Sequence, residues 1–111
     1  MNISKRKSGN ITLLDLEGEL LMGDTSIYFR ETLDSLIKEG EKDIIINFKN
    51  LKAIDSTGLG ELAKSYTTAK KNGGIVKLIN ISEKLMDLLF LTKLITVFEI
   101  FNDEEKAVRS F

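Results

Sequence analysis

The densest chemistry in this sequence is the run Asp55-Ser56-Thr57-Gly58-Leu59-Gly60, entered through Ile54. A carboxylate, two hydroxyls and two glycines fall between a short apolar run and an amphipathic segment. Asp, Ser and Thr are common helix N-caps, because their side-chain oxygens accept from the free N–H groups of the first turn. A cap needs only one such residue, and each glycine inside a helix costs about 1 kcal/mol relative to alanine. Glycines there suit the close approach of another backbone or of a phosphate. Ser-His-Asp and Cys-His nucleophilic sites, and imidazole or thiolate metal sites, are excluded, because the chain has no histidine and no cysteine.

Gly58-x-Gly60-x-x-Ala63 also fits the spacing of a dinucleotide fingerprint. That fingerprint needs a tight strand-to-helix turn and an acidic residue about twenty positions on. Several residues separate Phe48 from Gly58, and Leu78, Ile79 and Asn80 stand where the acid belongs. No Walker A pattern is present, and 111 residues leave no room for a second dinucleotide half with a substrate domain. A small nucleotide-binding module is disfavoured.

The elements that position the motif follow from hydrophobic spacing. Ile11 to Glu17 predicts a strand, with Leu14 and Leu16 on one face, Ile11 and Leu13 on the other, and Gly18 ending it. Ser8-Gly9-Asn10 turns into it, so Asn2 to Lys7 is a candidate edge strand. Phe29, Leu33, Leu36 and Ile37 mark a helix face, capped by Asp24 or Thr25 and stopped by Gly40. Ile44 to Phe48 is apolar on both faces, as in a central strand covered on both sides. A loop over Lys49 to Asp55 leads to a second helix with Leu59, Leu62, Ala63, Tyr66 and Ala69 inward, ended by Asn72-Gly73-Gly74. Ile75 to Ile79 is a further strand. Ser82 caps a third helix with Leu85, Leu88 and Leu89 inward, Val97 to Phe101 is a last strand, and Asn102 with Glu105 resembles a capping box. Ala107, Val108 and Phe111 form the buried side of a last short helix. The order β-β-α-β-α-β-α-β-α predicts an α/β fold with a mixed, mostly parallel sheet of four to five strands and about four helices.

Composition sets the frame. The chain of 111 residues is 42% hydrophobic and 30% charged, enough for one folded domain over 1–111. Proline is absent, so turns rest on Gly, Asn, Asp and Ser. A net charge of −1 and a pI near 5.5 supply no field to attract nucleic acid or an anionic membrane. Lys5-Arg6-Lys7 is not followed by the apolar stretch of a signal peptide, and no apolar run approaches the roughly 18 residues of a membrane helix. The expectation is a soluble cytoplasmic protein.

The motif resembles the D-S-[ST]-G-L-G signature of the STAS domain of bacterial anti-sigma factor antagonists. Four further segments fit that family in order. Leu16-Glu17-Gly18-Glu19-Leu20 is similar to its L-x-G-E/D-L strand end, and Ile44 to Phe48 to its I-V-L-D-L strand. Lys71-Asn72-Gly73-Gly74 is similar to its helix-ending K-x-x-G-G, and Leu94 to Phe98 to its late L-x-x-x-F segment. The resemblance implies a STAS-like fold and a binding protein rather than an enzyme, with no cofactor. It implies a GHKL-type serine kinase that is also an anti-sigma factor as partner, phosphorylation at Ser56, and a metal-dependent serine phosphatase that resets it. Asp24, Asp55, Thr57, Gly58, Leu59 and Gly60 become candidate partner-binding residues. Many antagonists carry Asp directly after the G-E-L segment; Leu21 stands there, and Asp24 is the nearest acid. A second branch of the same family, a non-catalytic scaffold subunit of a larger signalling or transporter complex, stays open.

Two readings carry alternatives. Thr57 is a spare cap or the acceptor in place of Ser56. Met86 and Phe90 form a stripe beside the core face of the third helix: either a broad buried face or an exposed patch for a partner or a second copy. A monomer or weak dimer is expected.

Overall fold

The computed structural model describes residues 1–111. Five strands form one sheet in the order β1-β2-β3-β4-β5. They are β1 (Asn2–Ser8), β2 (Ile11–Leu20), β3 (Asp43–Ile54), β4 (Ile75–Ile79) and β5 (Ile100–Phe101). β1 runs antiparallel to β2, and the other pairings are parallel. The helices are α1 (Asp24–Lys38), α2 (Ser56–Lys71), α3 (Glu83–Leu91) and α4 (Glu104–Arg109).

Sequential strand order with right-handed crossovers puts the connecting helices on one face. The larger core agrees. Leu14 and Leu16 of β2 meet Phe29 and Leu33 of α1, Leu59 and Leu62 of α2, and Leu85 and Leu89 of α3. The other face carries Ile11, Leu13, Ile45 and Ile79 and is closed by Ala107 and Val108 of α4. The alternation read along Ile11–Leu16 therefore separates the two faces as expected, and β3 is buried on both.

Five boundaries differ from the sequence expectation. β2 does not stop at Gly18, and β3 does not stop at Phe48. Both continue, paired through two register shifts, to Leu20 and Ile54, so the expected loop over Lys49 to Asp55 is strand as far as Ile54. Register shifts near Asp15/Glu17 and Gly18/Glu19 absorb extra β3 residues as bulges, which break the alternation that reveals a strand. The last strand shortens to Ile100–Phe101, because Leu94–Thr96 is a 3-10 turn and Phe98 fills the core from a loop. Its ring meets Tyr66 edge-on at 5.3 Å. α1 is entered through Gly23 at φ +106°, not through a side-chain cap. Thr25 Oγ1 instead accepts from Leu21 N and donates to Leu21 O. Asp103, one residue beyond Asn102, caps α4 by accepting from Glu105 N.

Candidate functional site

The C-terminal ends of β2 and β3 lie side by side, with Leu20 paired to Ile54. Asp55 follows at once as the N-cap of α2, and Ser56 is the first helical residue. Asp55 Oδ1 accepts from Gly58 N at 2.8 Å, which is the cap. Its Oδ2 accepts from Met22 N at 2.8 Å, which ties α2 to the loop before α1. Those two N–H groups hold the Asp55 carboxyl below the ordinary carboxylate range, so it is ionised at neutral pH. Asp55 N in turn donates to Leu20 O at 3.3 Å.

The two glycines of the motif have different reasons. A Cβ on Gly58 would lie 2.3 Å from Leu20 O and 2.9 Å from both Leu20 Cγ and Ile54 Cγ1. Gly58 is what lets the first turn of α2 press onto the end of β2. A Cβ on Gly60 would meet nothing within 4 Å. Gly60 is exposed, one turn beyond the exposed Ser56 and on the same side of the helix.

The remaining candidates sort by burial. Leu59, 7% exposed, belongs to the core with Gly58 beneath it, so these two support the surface from within and do not present it. Thr57 sits inside the first turn; Asp55 is the cap, which corrects the spare-cap reading. Asp24 is exposed at the start of α1 and shares a shallow depression with Met22 and Lys52. Met86 and Phe90 are exposed, Phe90 by 71% and its neighbour Leu91 by 76%. The stripe on α3 is therefore a surface patch rather than part of a broad buried face. Leu88, expected inward, is only half-buried.

Sequence reasoning missed Leu20 O and Met22 N. Both are backbone groups, and side-chain type carries no signal for them. It also missed the Arg30–Glu61 pair, at 2.6 Å, which joins α1 to α2 just past the motif. One argument against the dinucleotide fingerprint changes too. The strand-to-helix turn is tight after all, but Gly58 is closed by Leu20, so no phosphate has access there.

An exposed serine stands behind a fixed acidic cap, at the strand-end rim of a sequentially ordered α/β sheet, and its hydroxyl is a surface feature. The family model for the STAS domain matches residues 2–107, and the chain belongs to the STAS domain family. It is 31% identical over 109 residues to the anti-sigma-B factor antagonist of Bacillus subtilis, covering 98% of both chains. It is 26% identical to the anti-sigma F factor antagonist of Paenibacillus polymyxa, over 97% of this chain and 92% of that one. Among solved structures, the Bacillus cell fate determinant SpoIIAA in its phosphorylated form matches with a TM-score of 0.77. That match has 21% identity and covers 99% of this chain and 100% of that one. No helix is long and apolar enough to cross a membrane.

Proposed function

We propose that this chain, acting as a single domain over 1–111, is an anti-sigma factor antagonist switched by phosphorylation of Ser56. Its partner is a serine kinase of the GHKL type that doubles as an anti-sigma factor. Binding the unmodified chain occupies that kinase and frees the sigma factor. In the switch, the γ-phosphoryl of ATP moves to Ser56 Oγ, the hydroxyl proton leaves, and ADP departs. A metal-dependent serine phosphatase restores the hydroxyl. The chain itself catalyses no step and needs no cofactor.

The observation that carries this reading is the exposed position of Ser56 at the start of α2, with the cap supplied by Asp55. Ser56 is free of a structural duty and presented to a partner. A phosphate there gains about 0.3–1 kcal/mol from the helix N-terminus, so modification leaves the fold in place. It adds about 1.5 to 2 negative charges beside the ionised Asp55. A partner surface fitted to a neutral hydroxyl then meets bulk and unpaired charge. Asp24, Thr57 and Gly60 border the contact, with Met86 and Phe90 as an apolar extension.

The test is labelling by a co-encoded GHKL kinase with labelled ATP, followed by mass mapping. Label on Ser56, lost in Ser56→Ala while binding persists, supports the reading. Label on Thr57 alone moves the acceptor by one residue, and unchanged binding after full phosphorylation sinks the charge switch. The scaffold reading draws on the exposed Phe90 and Leu91. Light scattering separates the two: an antagonist is a monomer or weak dimer, a scaffold a tight large assembly.

A further inference from the structure

β4 pairs with β3 only from Asp43 to Asn47, so residues 48–54 of β3 run on without a β4 neighbour. The start of α3 stands beside them, and a cleft opens between the two. Its walls are Phe48, Leu51 and Ile54 from β3, with Leu85 and Leu88 from α3. Leu51, Ile54 and Leu88 are only half-buried, so apolar surface is left to water. The charged residues lining the cleft are Lys52 and Lys84, with no acid among the lining side chains. Both lysines are exposed, and neither belongs to any ion pair of the chain.

We propose that this cleft binds a small amphipathic anion, a carboxylate on a short apolar chain. The apolar walls take the chain, and the two unpaired ammonium groups take the carboxylate. A second copy of this protein presenting the same face would set lysine against lysine, so self-association does not satisfy the site. The free volume, about 60 Å³, sets the size. It holds only a few water molecules, so the bound chain is short.

The test is an NMR titration of the whole chain with butanoate, hexanoate, decanoate and hexan-1-ol. Hexanoate should give saturable shifts centred on Leu51, Ile54, Leu85 and Leu88. Affinity should rise by up to about fourfold per methylene from butanoate to hexanoate, then level off at decanoate once the cleft is full. Hexan-1-ol, lacking the charge, should bind about thirtyfold more weakly at low salt, the effect of two charge pairs near 4 Å in water. The double variant Lys52→Glu/Lys84→Glu changes only exposed positions, so it should melt like the parent while losing more affinity for hexanoate than removal of the ligand's charge does, because two attractions become two repulsions. Shifts centred instead on Phe90, Leu91 or Met22 would overturn the proposal. So would a flat chain-length series, equal binding of hexan-1-ol, or unchanged affinity in the charge-reversed variant.

Discussion

Gly58 and Gly60 sit two residues apart in one motif, yet alanine should act in opposite directions at the two. At Gly58 the new methyl would lie 2.3 Å from Leu20 O, a backbone atom that cannot rotate away. That oxygen also accepts from Asp55 N, so relieving the clash pulls on the cap as well. Overpacking of this kind costs about 1–3 kcal/mol, and a rigid backbone neighbour puts it at the upper end. The helix gain of about 1 kcal/mol from Gly to Ala offsets part of it. Gly58→Ala should therefore lose about 2 kcal/mol. Gly60→Ala meets nothing within 4 Å and should keep the helix gain, up to about 1 kcal/mol of added stability. Urea unfolding reads both: with a slope of about 1–3 kcal/mol/M, the Gly58 variant loses roughly 1 M of midpoint, and the Gly60 variant gains a fraction of that. Partner affinity supplies a second readout. Gly60→Ala should bind the proposed kinase partner more weakly despite its greater stability, because its methyl projects one turn from Ser56. A Gly58→Ala protein as stable as the parent would refute the close approach at Leu20, and a destabilised Gly60→Ala would refute the open face.

Four further expectations follow from the same geometry. Asp55→Ala should destabilise at pH 7, and the deficit should shrink in acid. The folded-state pKa of Asp55 lies below its ordinary 3.8, so its contribution is fully present above that value and fades as pH falls through the lowered one; urea midpoints at pH 7 and pH 3 for both proteins check this. Ser56→Ala and Ser56→Asp should melt close to the parent, within about 1 kcal/mol, because Asp55 rather than Ser56 caps α2; calorimetry decides. Ile45→Ala, at a fully buried position on the face closed by α4, should cost about 2–5 kcal/mol, and a loss under about 1 kcal/mol in chemical unfolding would mean that face is loosely packed. Phe90→Glu should keep a cooperative melt and weaken binding to the proposed kinase partner in a titration, whereas a lost melt would return Phe90 to the core.

The fold was legible wherever burial imposes a period. Ile11 to Leu16 alternates between two faces because each is covered, by α1–α3 on one side and α4 on the other. Helix faces such as Phe29, Leu33 and Leu36 read correctly for the same reason. What stayed hidden was structure held by backbone groups. Residues 49–54 look like a loop, with Lys49, Asn50 and Lys52 among them, yet they pair with β2 through bulges that scramble the alternation. Lys93 takes φ +65° with no turn residue to announce it. At the site, the type and order of Asp55, Ser56 and Gly58 were visible. The tether from Met22 N to Asp55 was not, because any residue at position 22 except proline would supply that N–H.

That tether bears on where the energy of the proposed switch falls. Both Asp55 oxygens are engaged inside the chain, one by Gly58 N and one by Met22 N. The carboxylate therefore cannot swing away when a phosphate arrives on Ser56 without breaking the cap or releasing the loop before α1. Repulsion from this fixed charge opposes the attraction of the helix N-terminus for the phosphate, and each is a modest surface effect. Within the free protein the two oppose each other, which is why phosphorylation should leave the fold and its stability nearly unchanged. In a complex the balance tips. Docking strips water from the phosphate and the carboxylate together, and like charges in a drier interface repel far more strongly than in solvent. The rigid cap thus directs the cost of the added charge to the bound state, where release of the partner is the outcome that relieves it.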